Sequence, residues 1–219
     1  MNRKITAITL QKRYHQRVNI YLDGEFGFGL TRSTAGWLQV GQELTEEMIA
    51  ELRNKDIYEE SYQLALNILG YRPRTEAEVR RHLESYQIRE DILTETIDRL
   101  KNNRLVDDYN FALNWIENRK EFRPRSRKAL VFELRKHGIA DQIIEQVLDQ
   151  AEIDEGQLAY QVASKQARNL HSLEWNEFRR KLSGFLARRG FPYDVSDQAI
   201  RQVWEMQFAN TSFQEKPRK

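Results

Sequence analysis

The sequence predicts a mainly α fold: three tandem three-helix repeats in an elongated array, preceded by a small α+β N-terminal domain built on a β-hairpin and a helix. Three observations predict it. An apolar skeleton recurs about every fifty residues, at the long end of the periods expected of repeat arrays. Val79, Leu83, Ile88, Ile92 and Ile97 are matched in order and spacing by Leu130, Leu134, Ile139, Ile143 and Leu148, and, shifted by one residue, by Leu182, Leu186, Phe191, Val195 and Ile200. Near-identical signals, Arg72-Pro73-Arg74-Thr75 and Arg123-Pro124-Arg125-Ser126, precede the first two copies and are missing before the third, so the last unit is divergent. Residues 1 to about 40 read with period two, the period of a strand.

In the N-terminal segment, Val18, Ile20 and Leu22 alternate with polar neighbours, Asp23-Gly24 is a favoured hairpin turn, and Phe26, Phe28 and Leu30 alternate beyond it. Ile5 to Leu10 supplies a third strand, because an isolated hairpin is barely stable in water. Trp37 is expected to seal this domain. Thr45, followed by Glu46 and Glu47, caps a helix expected to run to Arg53. In the first repeat, Tyr62, Ala65, Leu66 and Leu69 mark one helix, ended by Gly70 and Pro73. Thr75-x-x-Glu78 opens the second as a capping box, and Ile92, Leu93, Ile97 and Leu100 mark the third. The second repeat runs through Tyr109, Ala112, Leu113 and Ile116, then Leu130 and Leu134, then Ile143 to Leu148. The third uses Leu158 to Ala163, then Phe178, Leu182 and Phe185, then Ala199, Ile200 and Val203, giving nine helices in three triplets. The expected boundaries are 1–57 for the head, 58–107, 108–155 and 156–209 for the repeats, and 210–219 for a basic tail expected to be disordered.

At 31% charged and 40% hydrophobic residues the composition fits a soluble, helix-rich chain, and its apolar runs are too short to cross a bilayer. The start, Met1-Asn2-Arg3-Lys4, lacks the apolar core and cleavage site of a secretory signal, so a cytoplasmic location is expected. With no cysteine, disulfides, thiol catalysis and thiolate metal sites are excluded. The four histidines, His15, His82, His137 and His171, are too dispersed for metal ligation. GEFGFG at 24–29 follows a hairpin turn and opens no helix, so it is no phosphate cradle. Asp107-Asp108 leads into a helix, where capping explains an aspartate better than acid–base chemistry. No active site and no cofactor or metal requirement is predicted. The net charge of +2 is uneven: residues 157–219 carry +5, a gradient that can orient the molecule on an anionic partner.

Two segments, YRPRTEAEVRRHL at 71–83 and LVDDYNFALNWIENRK at 105–120, resemble the most characteristic stretches of the RecX regulatory proteins, and FLARRGFPYDV at 185–195 is similar to that family's last unit. The resemblance covers residues 58 to about 208, with several motifs in family order. It implies three tri-helical units and a regulatory role without catalysis. Such proteins bind the filament that the RecA recombinase forms on single-stranded DNA, lie along its groove, and restrain ATP turnover, strand exchange and co-protease activity in DNA repair, homologous recombination and the SOS response. A polar surface makes a monomer the simplest expectation.

Candidate contact residues fall in two groups. Arg119, Lys120, Arg123, Arg125, Arg127 and Lys128 crowd a short stretch relieved only by Glu121. They are either anion contacts or a solvated helix junction, with Arg72 and Arg74 of the first copy expected to be solvated beside their cap. Phe122 either closes that junction or stacks on a base. Arg179, Arg180, Lys181, Arg188 and Arg189 alternate with Phe178, Leu182, Phe185 and Leu186, which places the cations in an outer stripe. A rival reading is a direct DNA-binding protein, since tri-helical units with a basic helix also describe helix-turn-helix modules. A third is a protein scaffold that ignores DNA.

Overall fold

The computed structural model describes residues 2–12 and 16–211, with side chains to residue 207. The expected basic tail therefore lies almost wholly outside the described residues, as does His15. The chain divides into two compact units, residues 1–107 and 108–219, and each is described by itself.

The first unit opens with an antiparallel sheet of β1 (Arg3–Leu10), β2 (Arg17–Leu22), β3 (Glu25–Thr31) and the two-residue β4 (Glu43–Leu44), in the order β3-β2-β1-β4. The hairpin turn is where the Asp-Gly signal places it: Asp23 and Gly24 both take positive φ, +53° and +92°, the combination that matches strand twist in a two-residue loop. One expectation fails here. Ile20 faces Phe28 while Tyr21 faces Phe26, so β3 holds one extra residue, Gly27, at a bulge. The bulge breaks the alternation: Phe28 and Leu30 enter the core, whereas Phe26 is 60% exposed and meets the edge of Tyr21. Trp37 does not seal the domain either. It is 50% exposed, and its neighbour Leu38 is buried instead, beyond the short helix α1 (Arg32–Ala35) that the sequence reading lacked.

Thr45 caps α2 by accepting from the Met48 amide, but α2 runs unbroken from Glu46 to Leu69. The head helix and the first helix of the first repeat are one element, because no glycine or proline lies between them and the polar run Arg53-Asn54-Lys55-Asp56 is compatible with a helix. Ile49 and Leu52 complete the core beneath the sheet, and Tyr62 and Ala65 belong to the next core. Between them Asp56, 4% exposed, accepts from the Thr31 amide and pairs with Arg17 at 3.0 Å, which ties the sheet to the helix. α3 (Glu76–Glu84) and α4 (Glu90–Asn102) complete the first triplet.

The second unit holds α5 (Asp108–Phe122), α6 (Arg127–Lys136), α7 (Asp141–Gln150), α8 (Glu155–Ala167), α9 (Trp175–Ala187) and α10 (Tyr193–Thr211). With α1, ten helices lie among the described residues. The repeated skeleton is the core of each triplet: Val79 and Leu83, Leu130 and Leu134, and Leu182 and Leu186 are at most 1% exposed. The turn after each middle helix also repeats, with positive φ at Gln87, Gly138 and Gly190. There the chain reverses over the helix end, and the amides of Ile139 and Phe191 return to the carbonyls of Leu134 and Leu186, each at 3.2 Å. Trp115 lies flat on Phe111, while Trp175 and Trp204 meet edge to face at 5.2 Å in the last core.

Candidate functional site

The two Arg-Pro-Arg signals begin alike and end differently. Thr75 accepts from the Glu78 amide and Ser126 from the Ala129 amide, so both cap their helices, and both side chains are buried. In the first copy Arg72 is exposed, as expected, and Arg74 half-buried, and both converge on the Glu78 carboxylate at 2.9 and 3.7 Å. In the second copy the segment clasps the turn that follows α9. Arg125 donates to the Arg188 carbonyl at 3.0 Å, the Ser126 amide to the Arg189 carbonyl at 3.2 Å, and Arg189 in return to the Pro124 carbonyl at 3.3 Å. Gly190 presses on this clasp with no room for a side chain, since a Cβ there would stand 2.6 Å from Ser126 Oγ.

This geometry sorts the eleven cations predicted as contacts. Arg119 donates to Glu133 at 2.7 Å and lies over the Trp115 ring, and Arg125 approaches the same carboxylate at 3.4 Å. Lys120 donates to the Ala151 carbonyl at 3.2 Å. Arg127 reaches Asp149 at 2.7 Å. Arg179 pairs with Asp197 at 2.9 Å and donates to the Tyr193 hydroxyl, and Lys181 pairs with Glu177 one turn back at 3.1 Å. These six have partners inside the protein. Arg123, Lys128, Arg180, Arg188 and Arg189 have no carboxylate partner among the described residues, and the first four are exposed. Arg189 is the exception in burial: its guanidinium sits 4.7 Å above the Phe185 ring. Burial, then the charges of Arg125 and Arg123, push its pKa below the usual arginine value.

A groove of about 540 Å³ runs beside this crowd, lined by the end of α5, by α8 and by α9. It holds Lys120 and Arg189 from the predicted groups, and Lys165 and Arg168, which sequence reasoning missed. Their signal was weak. They lie about forty residues from the 119–128 cluster and three apart at the end of α8, where they read as an ordinary solvated face. Phe122 does not close the junction: it is 64% exposed and lines the groove. A second depression, with Arg180, Lys181 and Arg188, shares Gln166 and Phe185 with the first, so the cations form one continuous strip. The only carboxylate lining either depression is Glu121. Such a strip attracts phosphates or acidic groups of a partner and offers no nucleophile or acid–base pair. Among the described residues no three His, Asp or Glu side chains gather to hold a metal ion, and no helix is long and apolar enough to cross a membrane.

Comparisons with known proteins agree with this architecture segment by segment. Residues 3–45 match the RecX N-terminal domain, and 62–100, 107–148 and 153–200 match the first, second and third RecX three-helix domains. Proteins named regulatory protein RecX from Bacillus velezensis and Bacillus pumilus are each 31% identical, over 91% and 93% of this chain and 77% and 78% of theirs. A crystal structure of regulatory protein RecX matches with a TM-score of 0.69 at 26% identity, covering 90% of this chain and 98% of that one. A RecX structure from Lactobacillus salivarius gives 0.60 at 28%, over 68% and 97%. With all four domain types in order along one chain, and relatives this similar over nearly its whole length, the chain belongs to the RecX family of regulatory proteins.

Proposed function

We propose that this chain binds the filament of the RecA recombinase on single-stranded DNA, along the filament groove, and restrains its ATP turnover, strand exchange and co-protease activity without making or breaking a bond. The observation that carries the reading is the cation-rich strip on the second and third three-helix domains of a RecX chain, lined by Lys165, Arg168, Arg180, Arg188 and Arg189 with Glu121 as its one carboxylate. Arg123, Lys128, Arg180, Arg188 and Arg189 supply charge that the protein does not neutralise itself. A filament groove, with DNA phosphate and acidic protein groups side by side, supplies the complement. Occupying that groove hinders subunit motion and excludes incoming duplex or a repressor. The setting is cytoplasmic, in DNA repair and the SOS response, and the regulator acts as a monomer.

The test is DNA-dependent ATP turnover by the cognate recombinase with this protein titrated from far below to equimolar amounts. Inhibition well below one molecule per recombinase subunit is expected. No inhibition, with tight and steeply salt-dependent binding to bare DNA, transfers the reading to a direct DNA-binding protein.

A further inference from the structure

The groove beside Phe122 combines features that a merely solvated face does not. The Phe122 ring is 64% exposed at the end of α5, among cations. The cations come from three separate elements: Lys120 from α5, Lys165 and Arg168 from α8 and its end, and Arg189 from the turn after α9. Lys165 and Arg168 have no ion-pair partner among the described residues, and Arg123 adds a further unpaired charge close enough to disfavour the Arg189 cation. The volume, about 540 Å³, lies in the range of small-ligand sites.

We propose that this groove is a nucleotide subsite that takes an unpaired nucleotide of single-stranded DNA, its base laid on the Phe122 ring and its flanking phosphates held by Lys165, Arg168 and Arg189. The proposal deepens the filament reading and rests on it for the source of the strand. An acidic peptide would satisfy the cations but leave the ring uncovered, whereas a nucleotide supplies an anion and a π face together. A duplex keeps its bases stacked inside, so the ring reaches only an unpaired base. Because every base has a π face, little sequence preference follows.

Fluorescence anisotropy of the full chain with a labelled thymidine oligonucleotide, an abasic oligonucleotide of equal length and a duplex tests this. Phe122→Ala is expected to weaken binding to the thymidine strand roughly 5- to 100-fold, to leave the abasic strand and the duplex unchanged, and to keep the salt slope. Phe122→Trp restores affinity. Lys165→Ala with Arg168→Ala lowers the single-strand salt slope by about 0.7 for each cation removed. Equal affinity of Phe122→Ala and the parent for the thymidine strand overturns the subsite, as does a polyglutamate peptide that displaces the strand and binds both proteins alike. Failure of the two readings is separable. If the parent chain leaves recombinase turnover untouched while Phe122→Ala loses strand binding, the filament reading falls and the subsite stands. If turnover is inhibited normally and Phe122→Ala binds like the parent, the subsite falls alone.

Discussion

Gly190 joins two three-helix domains at the point where the chain has least room, and replacing it with alanine measures how tight that joint is. Its φ of +89° places any other residue in a conformation L side chains disfavour, costing about 1–2 kcal/mol. The added methyl also collides, at 2.6 Å with Ser126 Oγ and 2.8 Å with Ala129 Cβ. Neither neighbour retreats freely, since Ser126 is buried and caps α6 while Ala129 sits on its first turn. Overpacking of this kind adds about 1–3 kcal/mol, so Gly190→Ala should destabilise the second unit by about 2–5 kcal/mol. Gly41 is the control. Its φ is +93°, but nothing lies within 4 Å of an added Cβ, so Gly41→Ala should show the backbone strain alone, about 1–2 kcal/mol. The assay is urea unfolding by tryptophan fluorescence. In a Trp37→Phe background the signal comes from Trp115, Trp175 and Trp204, all within residues 108–219, and Gly41→Ala is read through Trp37. Adding Ser126→Ala removes the nearest clash, so the double variant should be less destabilised than the sum of the singles, a coupling of about 1 kcal/mol. Equal losses for Gly190→Ala and Gly41→Ala, or strict additivity with Ser126→Ala, would refute the close approach.

The cation groups should separate by what they hold. Arg123→Ala with Lys128→Ala should weaken filament binding and leave the thermal midpoint unchanged. Arg125→Ala with Arg127→Ala should lower that midpoint, because both side chains bond within the fold; replacing all four together would mix the two effects. Asp56→Ala removes a buried carboxylate that holds the Thr31 amide and Arg17, and should cost the first unit about 3 kcal/mol in urea unfolding. Arg201, then Arg179, hold the Asp197 carboxyl below its ordinary pKa. A depressed carboxylate pKa contributes stability above the unfolded value and loses it as pH falls through the folded one. Asp197→Asn should therefore flatten the loss of second-unit stability on acidification below about pH 4, read by the same fluorescence.

What the sequence revealed and what it concealed differ in range. The triplets were legible because their signals are local: apolar spacing, Thr75 and Ser126 before helices, and the Asp23-Gly24 turn all act within a few residues. Misreadings arose where one residue or one contact redirects the chain. Gly27 at the bulge turns Phe26 outward, although the alternation of Phe26, Phe28 and Leu30 looks regular on paper. The polar stretch after Arg53 contains no breaker, so α2 continues past the end expected at Arg53. For the site, charge density was visible but partnership was not. Arg119 and Arg125 meet Glu133, and Arg179 meets Asp197 eighteen residues away, pairings that only the packed helices decide. Lys165 and Arg168 join the strip for the same reason, by position in space and not along the chain.

The divergence of the two Arg-Pro-Arg copies explains why one is a plain cap and the other adjoins the unpartnered charge. After Thr75 the first turn of α3 carries Glu76 and Glu78, so the helix start has the acids its dipole favours, and Arg72 and Arg74 are neutralised on the spot. After Ser126 the first turn of α6 has no acid and begins Arg127-Lys128. Positive charge at the positive end of a helix must find compensation elsewhere. Part of it comes from the fold: Glu155 accepts from the Arg127 amide, Asp149 takes the Arg127 guanidinium, and Glu133 is shared by Arg119 and Arg125. The rest is unmet, and Arg189 is driven into the same corner because its carbonyl and guanidinium complete the clasp around Pro124 and Ser126. The contacts that join the second and third domains thus concentrate cations that the domains themselves cannot neutralise. An anion bound there would relieve repulsion among Arg123, Arg125 and Arg189 and strengthen the joint, which would link binding to domain packing through one set of residues.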